Sequence, residues 1–242
     1  MLILILIFQN IFWKKTKSLR AELEVVPNAY NETTMRAFLF GDGEYYFRLK
    51  GLKVQNMGDT FGRSVALYKY DYKKLYDWFN ALDKLNVESN YLAALSAYYF
   101  SQTQNIPDRR FVVNFLVKHG ERNPAKKWWW LYQAAYIARY FLKDAKLSME
   151  IANKLKDLPN REIPFWIRHA TALYLIEGGQ ECEGWRIIGE MEKEYGNLDE
   201  EKDPEIIKRK EIELNYMGYF IKNILDKFKK EGLDRSKCLN LK

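Results

Sequence analysis

His119 and His169 are the only histidines in the chain, and imidazole is the side chain best suited to proton transfer or metal ligation near neutral pH. Neither stands in a metal-ligand spacing or beside a serine or cysteine in a nucleophile motif, so the linear sequence proposes no zinc site and no triad. His119 precedes Gly120 at an expected helix end, where a cation complements the dipole. Cys182 and Cys238 are too few and too far apart in sequence to propose a disulfide framework or a metal site. Cys182 is expected at a small-residue core position. Gly58-Asp59-Thr60-Phe61-Gly62 has glycines as a phosphate cradle would, but no P-loop lysine follows and no preceding strand is evident. A helix C-cap at Gly58 followed by an N-cap at Asp59 or Thr60 accounts for the segment more simply. The reading assigns no catalytic residue, no metal and no cofactor.

Binding chemistry is better represented. Trp128, Trp129 and Trp130 advance by about 100° each around a helix and together sweep about 200°. One inward stripe takes two of them. Packing between repeats buries the third, or one tryptophan faces a partner beside Lys126 and Lys127, the amphipathic kind of spot that interfaces favour. With Arg109 and Arg110 upstream, the partner-binding set is Trp128, Trp130, Lys126, Lys127, Arg109 and Arg110. The same basic and aromatic residues, extended through Arg139 and Tyr140, supply the alternative: a helical-repeat RNA-binding module using segment 109–140, with rings stacking on bases and cations on phosphates.

Charge weighs against the nucleic-acid alternative. The net charge is +7, but Lys14, Lys15, Lys17 and Arg20 stand in the first twenty residues with no acid among them, so the rest of the chain is only weakly basic. Within it, 105–143 is basic and 177–205 acidic, a polarity that could steer a partner or simply mark solvated helix faces.

The first thirteen residues, Met1 to Trp13, are apolar except for Gln9 and Asn10, and Lys14-Lys15-Thr16-Lys17 follow. As a helix they reach about 20 Å, short of the roughly 30 Å hydrocarbon core. They also lack the charged leading region and small-residue cleavage site of a signal peptide. A short or truncated anchor, a peg lying in the interface and a buried helix are the readings left, and membrane attachment through residues 1–13 is the one expected. The basic flank then places the remaining chain on the cytoplasmic side.

These residues need a scaffold, and the pattern is helical. Few prolines and glycines and stripes at helical spacing predict helices over about 31–40, 44–57, 71–85, 90–103, 109–119, 126–142, 144–157, 165–176, 180–195 and 205–231. Leu75, Trp78, Phe79, Leu82 and Leu85 form the clearest apolar stripe. Gly41-Asp42-Gly43 marks a turn that makes 31–57 a first hairpin. The division is an anchor segment over 1–17, a connector over 18–30, a repeat domain over 31–231 and a flexible tail over 232–242.

Tyr91, Trp129 and Trp166 open three helical stretches 38 and 37 residues apart, and Tyr98, Tyr136 and Leu173 stand seven positions on from each. Small residues follow on the second stretch of each unit: Ala145 and Ala152 around Met149, with Pro159 near the end, then Cys182 and Gly189. His169 occupies the position of Tyr132 in the unit before. This pattern resembles the tetratricopeptide repeat family, clearly over about 90–195 and loosely over 31–89. Its period is longer than usual, with Gln133 where a small residue is expected and Pro107 where a second-helix small residue belongs. The resemblance implies an all-α, right-handed superhelical solenoid of antiparallel helix pairs, its concave groove lined by the first helix of each pair, with no enzymatic activity. A C-terminal capping helix over 205–231 completes it. The expected function is a membrane-tethered scaffold or adaptor for a protein or peptide partner, such as an assembly factor or a subunit of a membrane-associated complex.

Overall fold

Asn31, Asp42, Asp71 and Asn123 each precede a helix, and each side chain accepts a hydrogen bond from the backbone N–H three residues on. Asp144 does the same for Leu147 at 2.9 Å. Such caps satisfy donors that a helix leaves open at its first turn, and they fix where the elements begin. The computed structural model describes residues 2–16, 24–38, 42–60, 63–156, 158 and 164–196, with Pro204, Lys208, Glu211, Ile212, Asn215, Tyr216, Gly218, Tyr219, Lys222 and Cys238 beyond them. Much of the connector 18–30, Pro159, the acidic stretch 197–203 and most of 205–242 lie outside the described residues.

The helices are α1 (Leu2–Thr16), α2 (Glu32–Ala37), α3 (Gly43–Gln55), α4 (Tyr72–Asp83), α5 (Tyr91–Tyr98), α6 (Arg109–Glu121), α7 (Pro124–Tyr136), α8 (Ala145–Lys156), α9 (Phe165–Glu177) and α10 (Glu181–Gly196). The described residues from 204 to 222 are helical as well. The architecture is all-α apart from a two-residue antiparallel ladder, β1 (Asp59–Thr60) against β2 (Arg63–Ser64). That ladder replaces the helix N-cap expected at Asp59 or Thr60. Gly58 turns into it with φ +78°, the left-handed region open to glycine.

From α5 to α10 each helix packs on the next in sequence, and α4 also packs against α6 and α5 against α7. At six residues α2 is too short for the arm of a full hairpin, and α3 packs on α4 and α5 as well as on α2. The stripe on α4 is buried as expected through Leu75, Trp78, Phe79 and Leu82. On α5 the helix stops at Tyr98 and a 3₁₀ turn, Phe100–Gln102, follows. There Phe100 turns into the core, its ring 5.6 Å from Phe79 and 5.9 Å from Tyr70.

Close approach between helices uses small residues, though not all of those expected. Ala134, Ala135, Ser148 and Ala152 are buried where α7 meets α8, and Ser148 Oγ donates to the Ala135 carbonyl at 3.0 Å. Between α9 and α10 the small residue is Gly184: a Cβ there would lie 2.6 Å from the Ala172 carbonyl oxygen. Gly189 has open space around it, so its assignment as the contact position is corrected to Gly184. Cys182 is likewise not a free core residue. It is bonded to Cys238 across 56 residues of sequence, a pairing that sequence distance had argued against.

Described side chains of α1 from Ile5 to Lys15 are all exposed, including Phe8, Ile11, Phe12 and Trp13, so the helix has no buried face there. Among the described residues no helix is long and apolar enough to cross a membrane.

Candidate functional site

The tryptophan triplet resolves into packing in three directions. Trp130 is buried and its indole N–H donates to Asn90 Oδ1 at 2.8 Å. Trp129 reaches back to α5, donating to the Tyr98 hydroxyl at 2.8 Å. Trp128 and Trp129 both meet Trp166 of α9 edge-on, at 6.5 and 6.0 Å. The aromatic recurrence of the sequence thus becomes a chain of ring contacts across α5, α7 and α9.

Lys127 explains the start of α7. Its backbone leaves the helical region (φ −115°, ψ 17°), and its ammonium runs into the core to the Val87 carbonyl and to His119 Nε2. Lys127 is only 5% exposed, and burial lowers its pKa from the ordinary lysine value, against the opposing pull of the Asp83 carboxylate. His119 is fully buried, with Nδ1 2.7 Å from Asp83 Oδ1. Because an ammonium only donates, Nε2 accepts from Lys127 and Nδ1 carries the proton toward Asp83. Arg122 closes the cluster, its Nη1 3.0 Å from Asp83 Oδ2 and 2.8 Å from the Asp83 carbonyl oxygen. The helix-end role expected of His119 is therefore replaced by a buried Asp–His–Lys–Arg network joining α4, α6 and α7. Both imidazole nitrogens are engaged, so the dyad presents no lone pair to a substrate. Local sequence carries no sign of it, since Asp83 lies 36 residues from His119.

The six expected partner-binding residues do not come together. Trp130 and Lys127 face the interior, a correction to their expected surface role. Arg109 donates to the carbonyls of Ser101, Thr103 and Phe141 at 3.2, 2.8 and 2.8 Å, which ties the end of α5 to the end of α7. Arg110 is exposed and paired with Asp144 at 2.7 Å. Both arginines therefore sit at the opposite end of α7 from Lys126, which is exposed, and from the partly buried Trp128. Arg139 pairs with Glu177. The basic–aromatic segment 109–140 does not present a continuous cationic strip of the kind that would follow a nucleic-acid backbone.

A concave aromatic site forms instead along α7 and α9. Tyr132 and Tyr136 lie one helical step of four apart. A π-helical turn, Ile137–Phe141, carries Tyr140 on to the same side, its ring 4.9 Å from Tyr136. Trp166 stands edge-on to Tyr132 at 5.2 Å and 86°, Tyr174 faces Tyr140 at 6.4 Å, and Tyr216 of the C-terminal helical stretch approaches His169 at 5.5 Å. Together with Ala170 and Leu173 these residues line a cleft of about 260 Å³. Burial raises the pKa of Tyr132 and of Tyr174, so both phenols are neutral at physiological pH. Burial, with Arg168 beside it, lowers His169 to about 4, so the imidazole is neutral too. Among the described lining residues none carries a charge near pH 7, and the Arg139 guanidinium lies over the Tyr140 ring at 5.7 Å.

The sequence contained this site in part: Tyr136 and Leu173 were marked by the repeat, and His169 by its equivalence to Tyr132. The step of four from Tyr132 to Tyr136 and on to Tyr140 was the readable signal. A second cleft of about 510 Å³, between the segment 28–32 and α4, is lined by mixed polar and charged groups including Asp77, Asn80, Lys84 and Lys118. Among the described residues no group of three or more His, Cys, Asp or Glu side chains could hold a metal ion.

No family model, curated protein or solved structure matches the chain.

Proposed function

We propose that the chain is a non-enzymatic, TPR-like helical-repeat scaffold that holds a protein or peptide partner against the aromatic cleft of α7 and α9. The observation that supports this reading is the position of the cleft, lined mainly from α7 and α9; in a TPR-like solenoid these would be the first helices of two successive pairs, the face that such a fold turns inward. Tyrosine and tryptophan give large contact area with little side-chain entropy to lose, and they dominate the energetics of interfaces.

The N-terminal helix supports a membrane tether lying in the interface. Its apolar side chains Ile5, Leu6, Ile7, Phe8, Ile11, Phe12 and Trp13 are exposed, and Lys14 and Lys15 follow at headgroup level. Sidedness is drawn from two features that disagree. The lysine flank points to the cytoplasm, whereas the Cys182–Cys238 bond belongs to an oxidising compartment. We take the disulfide as the better guide, because the positive-inside rule governs spanning segments.

The test is reconstitution. A protein that co-purifies with the full chain is prepared separately and its binding measured against the wild type, Tyr136→Arg and Tyr140→Arg. Both rings are at the exposed rim, so the variants are expected to fold and to lose the complex. Undiminished binding by both folded variants removes the cleft from the function.

A further inference from the structure

Helix α1 ends in charge. Lys14 and Lys15 stand in its last turn, both exposed, directly after Ile11, Phe12 and Trp13, and the first twenty residues of the chain contain no acid. Cations near a helix C-terminus have an ordinary use, which is to complement the dipole. Their place along this particular helix gives them a second one.

Apolar side chains occupy every side of α1. Ile5, Leu6, Ile7 and Phe8 are successive and 50–75% exposed, and at about 100° per residue they sweep about 300° around the axis. An interfacial helix of the usual kind sets its roll by an apolar face opposite a cationic one. In α1 there is no such division, and the cations are gathered at one end. Whatever the roll, Trp13 marks the interface and the two lysines beside it are held among lipid head groups.

Head groups differ in what they offer an ammonium. Phosphatidylcholine carries its own cation beyond the phosphate and is neutral overall. Phosphatidylglycerol and phosphatidylserine leave a net negative charge at the surface, and each lysine held there strengthens attachment by roughly fivefold. That attraction fades over about 8 Å at physiological ionic strength. It therefore rewards cations that an apolar anchor pins to the surface, which is the arrangement of Phe8, Ile11 and Trp13 followed by Lys14 and Lys15.

We infer that α1 is a binding element for anionic phospholipid, its apolar side chains entering the lipid and Lys14 and Lys15 meeting negatively charged head groups. This assignment rests on the reading of α1 as a membrane tether and names the lipid class that the tether selects.

The purified full chain is floated with phosphatidylcholine vesicles and with mixed phosphatidylcholine–phosphatidylglycerol vesicles, at low and at physiological salt. The wild type is expected to bind both, the mixed vesicles about tenfold or more tightly at low salt, with a difference that shrinks as salt is added. Replacing both lysines, Lys14→Gln with Lys15→Gln, should weaken binding to the mixed vesicles by roughly ten- to thirtyfold and leave phosphatidylcholine binding unchanged. Lys14→Arg with Lys15→Arg should keep the preference. Phe8→Ser with Ile11→Ser should weaken attachment to both kinds alike. All of these side chains are exposed, so the variants are expected to fold, and circular dichroism checks it. Binding to neither kind of vesicle removes the tether and this inference with it. Equal binding of the wild type to both leaves the tether standing and overturns the head-group assignment. A double glutamine variant that keeps the full preference overturns it too, because the selecting cations then lie elsewhere. So does one that loses both kinds of vesicle equally, which returns the lysines to their role at the helix dipole.

Discussion

Replacing Asp83 by Asn tests whether the buried network is held together by its one carboxylate. Asp83 is 1% exposed and meets His119 Nδ1 at 2.7 Å and Arg122 Nη1 at 3.0 Å. The amide keeps an oxygen for His119 but removes the negative charge opposite Lys127 and Arg122. Breaking a buried pair from one side costs about 3–5 kcal/mol. Arg122, with 24% of its side chain exposed, can turn toward water, whereas Lys127 at 5% cannot, so we place Asp83→Asn near about 3 kcal/mol. Lys127→Met removes the ammonium but leaves the Val87 carbonyl and His119 Nε2 without their donor, at about 1–3 kcal/mol. In the double variant no uncompensated ammonium remains, so the two effects should fall short of their sum by about 2 kcal/mol. Urea unfolding at pH 7, followed by tryptophan fluorescence, reads these differences as shifts in midpoint at constant slope. In a thermal melt Asp83→Asn should lower Tm by roughly 6–12 °C. Additivity within about 0.5 kcal/mol, or a loss under about 1 kcal/mol for Asp83→Asn, would refute the account.

Three further outcomes are expected. His169 titrates at about 4 in the folded chain against an ordinary 6.5; between those values the unfolded chain binds a proton that the folded one refuses. The stability that neutral His169 supports is therefore complete above pH 6.5 and lost as pH falls toward 4, by up to about 3 kcal/mol; His169→Gln should flatten this part of the Tm–pH curve. Gly184→Ala should destabilise the α9–α10 contact by about 1–3 kcal/mol, because the added Cβ would stand 2.6 Å from a backbone oxygen. Gly189→Ala, with open space around it, should be neutral or stabilise by about 0.5–1 kcal/mol, and chemical denaturation of the two single variants separates them. Replacing both Cys182 and Cys238 by serine opens a loop spanning 56 residues and should cost about 4 kcal/mol on the chain-entropy estimate, seen as a lower midpoint that dithiothreitol no longer changes.

Elements with strong local periodicity were legible in advance. The stripe Leu75, Trp78, Phe79, Leu82 faces the core of α4, and the Tyr91, Trp129 and Trp166 openings fall at or within a few residues of the starts of α5, α7 and α9. What sequence could not set was direction around each helix. Three adjacent tryptophans are equivalent in a list, whereas in the structure Trp130 turns inward and Trp128 and Trp129 meet Trp166. Lysine is read as a surface residue by default, so its burial against His119 was invisible without Asp83 beside it. The small-residue contact on α10 lies five positions earlier than expected, at Gly184 and not Gly189. Cys182 and Cys238 paired because folding, and not spacing along the chain, brought their Cα atoms to 4.9 Å.

The Cys182–Cys238 bond also changes what a protease can do to this molecule. It makes the chain between them a covalent ring, so one cut anywhere in that ring nicks the chain without releasing a piece. A nicked molecule would keep its mass under non-reducing electrophoresis and separate into two fragments only when a thiol is added. The stretch bearing Tyr216 would then remain attached to α10 after cleavage, and a scaffold could persist in an environment rich in proteases.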